Sequence, residues 1–387
     1  MNSGKAMAGK AARGRTSATE AVIIASGLYC AAGDQAFALL GAVGGGLTLC
    51  RPDEGPPVPM PGEKGHGGFL SCPAIDAPRR AGLRMGELLR RALARLFREL
   101  PAENLHEPLE LHLLVPPAQA PARGALAAAE WERLLRGVPG FPGHARIQVT
   151  AAEEGSVPVL AEALETLGQT GGTLLLGAVD SWFDDHLLAS LAMAGDLFTE
   201  NRHAGRIPGE AAAFVALQPR GMADGGKALA RLRALAVEAE PEAGRPDETV
   251  LCGLARAIER VAQHAGRQPS DIDCLVAGLA LDPRRQVEWQ QAENRLWPVR
   301  LDEARREAMQ AGELDAPQPD TGPEREILDP AAVLGDTGVA ETLLGLILAV
   351  ERFSFAWPRQ SAVVVTELGE QAARAALWVE PLAPQRQ

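Results

Sequence analysis

Short runs of apolar and β-branched residues alternate along the chain with longer stretches in which apolar positions recur every three or four residues. The short runs, bounded by Gly, Pro or Asp, predict strands over 21–27, 109–117, 145–152, 172–180 and 211–219. Helical patterns lie between them: DQAFALLGAV after the first, MGELLRRALARLFREL before the second, and VPVLAEALETLGQ between the third and fourth. The Arg-rich run 79–100 reads as an amphipathic helix, with Leu83, Leu88, Leu89, Leu93 and Leu96 inward and the arginines in water. The alternation then repeats, with strands over 230–240, 273–280, 361–367 and 372–381 and helices over 248–266, 285–297 and 339–353. Alternating strands and helices predict an α/β protein with helices packed on mostly parallel sheets. The repeat predicts two similar halves, 20–219 and 220–387, behind a flexible tail over 1–19. Two Pro-, Gly- and charge-rich segments, 51–73 and 300–330, are expected to be surface excursions.

Composition narrows the function classes. A chain of 387 residues that is 46% hydrophobic and 23% charged can bury a sizeable core. Its formal net charge of -12 repels phosphate backbones and anionic lipid surfaces, so nucleic acid is not an expected partner. No window approaches the roughly 18 apolar residues of a spanning helix, and the basic N-terminus has no apolar signal core. Cys30, Cys50, Cys72, Cys252 and Cys274 are widely spaced without a C-x-x-C pair, which predicts reduced thiols in a cytoplasmic protein. Seven scattered histidines (His66, His106, His112, His144, His186, His203 and His264) share no ligand spacing, so no metal is expected. No phosphate-binding, dinucleotide or serine-hydrolase motif is present, and GAVGGGL (41–47) follows a helix and reads as a turn, so no cofactor is expected.

The order of GAVDS (177–181), IPGEAAAF (207–214) and GDTGVAE (335–341), behind VIIASGLYCAAGDQAFALLGAVGGGLTL, resembles the β-ketoacyl synthases of the thiolase fold from about residue 20 onward. That resemblance implies a duplicated layered architecture in which helices sandwich and cover two mixed sheets. It implies a reactive cysteine at a strand-to-helix elbow, two histidines and a supporting lysine. The elbow here reads AAEEGS (151–156), which puts Glu153 or Glu154 at the cysteine position. The first histidine position holds Gly278, the second Asp336 and the lysine position Ala331, while LGEQA (368–372) replaces a glycine-rich loop. A fold retained without its reaction is the expectation, because a carboxylate at a helix N-terminus is electrostatically stable there but a poor acyl acceptor.

Asp336 is then expected to cap the helix that follows it. The resemblance also implies a dimer, homo- or heteromeric, through 145–150. The leading functional expectation is a non-catalytic scaffold, an adaptor for bacterial type VI secretion effectors. The alternative is a chain-length-factor-like partner of an active ketosynthase in fatty-acid or polyketide synthesis. A third reading pairs Asp336 with Glu153 or Glu154 as acid and base in a relocated site.

Overall fold

The structure is a computed structural model and describes residues 15–17, 20–59, 68–105, 108–117, 126–153, 155–222, 228–242, 250–279, 283–298, 303–313, 325–355, 361–369 and 372–382. A short strand β1 (Arg15–Ser17) precedes the first half. That half contains β2 (Ala21–Tyr29), α1 (Ala36–Gly44), the two-residue strands β3 (Arg51–Pro52) and β4 (Leu70–Ser71), α2 (Ala81–Glu99), β5 (Leu109–Val115) and α3 (Ala128–Arg136). It continues with β6 (Arg146–Ala151), α4 (Val157–Thr170), β7 (Thr173–Ser181), α5 (Asp185–Ala194) and β8 (Glu210–Pro219). The second half contains β9 (Ala230–Ala239), α6 (Gly253–His264), β10 (Cys274–Val276), α7 (Pro283–Leu296), α8 (Glu303–Gln310) and β11 (Glu326–Leu328). It ends with α9 (Pro330–Leu334), α10 (Glu341–Arg352), β12 (Val363–Leu368) and β13 (Ala373–Pro381).

The duplication is visible in the hydrogen bonding. The sheet runs β11-β10-β12-β13-β9-β2-β8-β7-β5-β6. Counted within its own half, each set of strands has the order 3-2-4-5-1, and the pairing directions also match: β5 lies parallel to β6 and β7, as β10 does to β11 and β12. In both halves the last strand is antiparallel to its two neighbours. The long ladders are therefore antiparallel, and the expectation of mostly parallel sheets is corrected: strands pair in parallel only where the chain passes through a helix between them. The halves are joined where β2 meets β9, over Ala21 to Ile23. Two corrections concern the ends of predicted loops. β11 falls inside the expected excursion 300–330, and Arg15–Ser17 of the expected tail pairs with β9.

Side-chain alternation along the strands sorts the interior into layers. On β7, Leu174, Leu176 and Ala178 enter a central core, while Leu175 and Val179 enter an outer one beneath α2. The central core joins both halves around α4 and α10, each of which touches strands of both. Thr342 to Val350 of α10 are all buried, the signature of a helix enclosed on every side. A third core packs α6 and α7 on the outer face of the second half. On α2 the predicted face needs correction at its start. Leu83 is 59% exposed, because it lies about 200° around the helix from buried Met85, and Arg84 turns inward instead. No described helix is long and apolar enough to cross a membrane.

Candidate functional site

The elbow between β6 and α4 is closed by a carboxylate that arrives from the other half. Ala152, at the strand end, is buried; the side chain of Glu153 is exposed, and Glu154 lies outside the described residues. Gly155 turns the chain at φ +101°, and the backbone N–H groups of Ser156 and Val157 then point out of the start of α4. Both donate to Glu367 of β12, at 2.7 and 2.9 Å. Thr342 donates its hydroxyl to the same carboxylate at 2.8 Å, and the Ser156 hydroxyl donates to the Val339 carbonyl at 3.0 Å. A helix N-terminus offers unpaired donors and a partial positive charge, and Glu367 satisfies both.

The turn before α10 carries Asp336. Its backbone is stitched to the IPGEAAAF segment: Asp336 N–H donates to the Ile207 carbonyl at 2.8 Å, and Gly209 N–H donates to the Asp336 carbonyl at 3.0 Å. One carboxylate oxygen accepts from Gly338 N–H at 2.8 Å and from the Trp182 indole at 3.2 Å. The other accepts from Arg206 at 2.5 Å, whose guanidinium lies 4.0 Å over the Trp182 ring. Asp336 thus accepts a local backbone bond, as expected of a cap, but it does so within an Asx turn ahead of Gly338 rather than at the first turn of α10. It is also the anion of a buried Arg–Trp cluster. Asp180 of GAVDS holds the same turn from below, accepting from Val339 N–H at 3.1 Å. A Cβ at Gly338 would stand 1.8 Å from the Asp180 carboxylate, so at φ +56° only glycine fits.

Gly278 and Ala331 are tied together through Asp329, and Glu341 lies against Gly278 and near enough to Asp336 to feel its charge. A Cβ on Gly278 would fall 0.9 Å from a carboxylate oxygen of Glu341, so that side chain occupies the volume the glycine leaves. Arg285 donates to Glu341 at 3.0 Å and to the Gly278 carbonyl at 3.1 Å. Ala331 is buried, and its N–H donates at 3.0 Å to Asp329, which also accepts from Leu279 N–H at 3.3 Å. Burial pushes the Glu341 carboxyl up to about 7, against Arg285, with Asp336 and Asp329 adding to the rise. The carboxylate acting on Asp336 from nearby is therefore that of Glu341, a residue absent from the sequence-derived candidates.

Chemically, the site holds carboxylates and their partners where the resemblance implies a thiol, two imidazoles and an amine. Among the described residues no group of three or more His, Cys, Asp and Glu could hold a metal ion. Glu210 of IPGEAAAF is buried and takes Arg84 on both oxygens, at 2.7 and 2.5 Å, with Ser181 at 2.8 Å and Ala74 N–H at 2.8 Å. It is a structural clamp. His112 on β5 is buried, and desolvation holds its imidazole below the usual range. Of the replaced loop 368–372, Glu370 and Gln371 lie outside the described residues. An open cleft of about 420 Å³ lies away from this site, lined by Ser26, Asp34, Arg95, Glu99 and Glu351 among others.

No protein-family model matches the sequence, and no curated protein is detectably similar to it. Solved structures are similar in fold. The ishigamide ketosynthase/chain length factor is 14% identical with a TM-score of 0.66, over 95% of this chain and 100% of that one. A β-ketoacyl synthase from Burkholderia phymatum is 14% identical with a TM-score of 0.65, over 94% of this chain and 100% of that one. A type II polyketide acyl-carrier protein in complex with its ketosynthase bound to the hexaketide is 12% identical with a TM-score of 0.67, over 95% and 100%. With its repeated strand order and the central pair α4 and α10, the chain has the thiolase-like fold of the ketosynthases.

Proposed function

We propose that this protein is a non-catalytic, chain-length-factor-like partner of an active ketosynthase. The observation that carries the reading is Glu367. Acyl transfer needs donors aimed at a developing oxyanion and a nucleophile beside them, and the two N–H groups at the head of α4 already serve a carboxylate. A second negative charge developing there would be repelled rather than stabilised. The elbow offers no thiol, and the Ser156 proton is committed to Val339. Similarity to a ketosynthase/chain length factor supports the partner role, whereas no residue of the site and none of the named structures points to secretion effectors. The partner would pair through the edge strand β6, whose one neighbour among the described residues is β5.

The test is co-expression with the ketosynthase and acyl carrier protein encoded nearest to it. A stable complex whose product chain length changes when this chain is omitted is the expected result. Incubation of the chain alone with acyl- and malonyl-loaded carrier protein should leave its intact mass unchanged and yield no ketoacyl product. An acyl adduct on the chain, or condensation without the ketosynthase, would overturn the reading.

A further inference from the structure

Two of the five cysteines meet in the fold, although 21 residues separate them between Cys50 and Cys72. The β3–β4 hairpin explains why. Its register pairs Arg51 with Ser71 and Pro52 with Leu70, so Cys50 and Cys72 stand opposite each other one step beyond the ladder. The Asp53 N–H donates to the Phe69 carbonyl, which makes 53/69 a hydrogen-bonded pair and, by alternation, 50/72 a non-hydrogen-bonded one. The Cys72 N–H is correspondingly turned away, onto Pro208. Non-hydrogen-bonded antiparallel pairs have Cα atoms about 4.5 Å apart with side chains on one face, inside the span a disulfide bridges. Both sulfurs lie within donor distance of one acceptor, the Val333 carbonyl of α9, at 3.7 Å for Cys50 and 3.6 Å for Cys72.

From this juxtaposition we infer that Cys50 and Cys72 form a redox-active dithiol that hydroperoxides convert to an intramolecular disulfide. The roles follow from exposure. Cys50 is half-buried and can be reached; Cys72 is fully buried. The hydrogen bond from Cys72 lowers the Cys50 thiol below the usual thiol range, while that same bond and burial push Cys72 up. Cys50 is thus the attacking thiolate and Cys72 the resolving thiol. In the first step the Cys50 thiolate attacks the outer peroxide oxygen and the O–O bond breaks. The alkoxide or hydroxide leaves and takes a proton, and Cys50 becomes a sulfenic acid. In the second, the Cys72 sulfur attacks the Cys50 sulfur, the S–O bond breaks, and the departing oxygen leaves as water with the Cys72 proton. Two thiols and one hydroperoxide give one disulfide, one alcohol or water, and one water. The oxidised hairpin would lie directly on the carbonyl three residues before Asp336, with no S–H left to donate to it. This site is independent of the acyl chemistry and of any partner.

The test uses the full-length reduced chain, titrated with hydrogen peroxide near pH 7 and mapped by peptide mass spectrometry. Expected is a Cys50–Cys72 cross-linked peptide, lighter by two hydrogens and reversed by dithiothreitol, forming roughly tenfold faster than oxidation of half-buried Cys252. In Cys72→Ser the sulfenic acid on Cys50 should persist and be trapped by dimedone; in Cys50→Ser, Cys72 should stay reduced. The inference is overturned if the wild-type chain gives sulfinic acid at Cys50, an intermolecular disulfide, or oxidation at Cys252 ahead of the pair. The wild-type map decides this even if a variant misfolds.

Discussion

Glu341 stands at the first position of α10 with its side chain only 16% exposed, beside Asp336, Asp329 and Arg285. Its folded-state value is raised to about 7, so between the ordinary carboxylate range and that value the folded chain holds a proton the unfolded chain has lost. Stability is therefore greatest below the window, falls as pH rises through it, and stays lower above, by an amount on the order of 3 kcal/mol. Glu341→Gln keeps the shape without the titration and should flatten that slope, gaining on the wild type between pH 5 and pH 8 in urea melts; parallel slopes for the two would refute the assignment. The Arg84–Glu210 pair makes a different prediction. Arg84→Met strands a buried carboxylate and should cost about 3–5 kcal/mol, while Arg84→Met with Glu210→Leu should recover most of it. Equal urea midpoints for the single and double variants would show that the pair is not coupled. At this scale the sequence pointed to Gly278, Ala331 and Asp336 by their place in or beside recognisable segments, Asp336 within GDTGVAE, Ala331 just ahead of it and Gly278 at the end of an apolar strand. It did not disclose Glu341 or Glu367, since a carboxylate at the edge of an apolar run reads as the point where the chain meets water. Only the fold shows that these edges face inward.

Among the elements, α4 depends on a residue from the opposite half. Glu367→Gln leaves one acceptor oxygen for two N–H groups and sets an amide beside them, so the variant should lose about 1–2 kcal/mol. The loss should be read as a lower urea midpoint with unchanged helix content at low denaturant; an unchanged midpoint would mean that the cap contributes nothing. The same dependence on packing decided which elements were legible. The long strands β2, β7 and β8 and the helices α2 and α10 carry enough apolar repeats to be placed from sequence within a few residues. β11 has three residues in a stretch of Pro, Gly and charge, and it exists because β10 offers it an edge. Strand direction was likewise invisible: hydrophobic alternation reports which face is buried and says nothing of whether a neighbour runs up or down.

For the whole molecule, the interface expected at 145–150 makes a prediction about assembly. β6 ends the sheet, with Arg146 and Gln148 exposed, and an unpaired edge is a template for another chain. Gln148→Lys with Thr150→Lys would set like charges across a two-fold edge and should reduce a dimer to monomers by size-exclusion light scattering, with little change in urea midpoint. A dimer that persists would move the interface elsewhere. The repeated strand order carries a further consequence, for how the chain is made. Each half is contiguous in sequence, yet α10, which begins at Glu341, shares with α4 the covering of the inner face of β8 and packs on β2 as well. During synthesis the completed first half must therefore wait with a greasy flank bare until the end of the second half leaves the ribosome. A chain truncated after Pro219 would remain in that state, a client for chaperones rather than a domain.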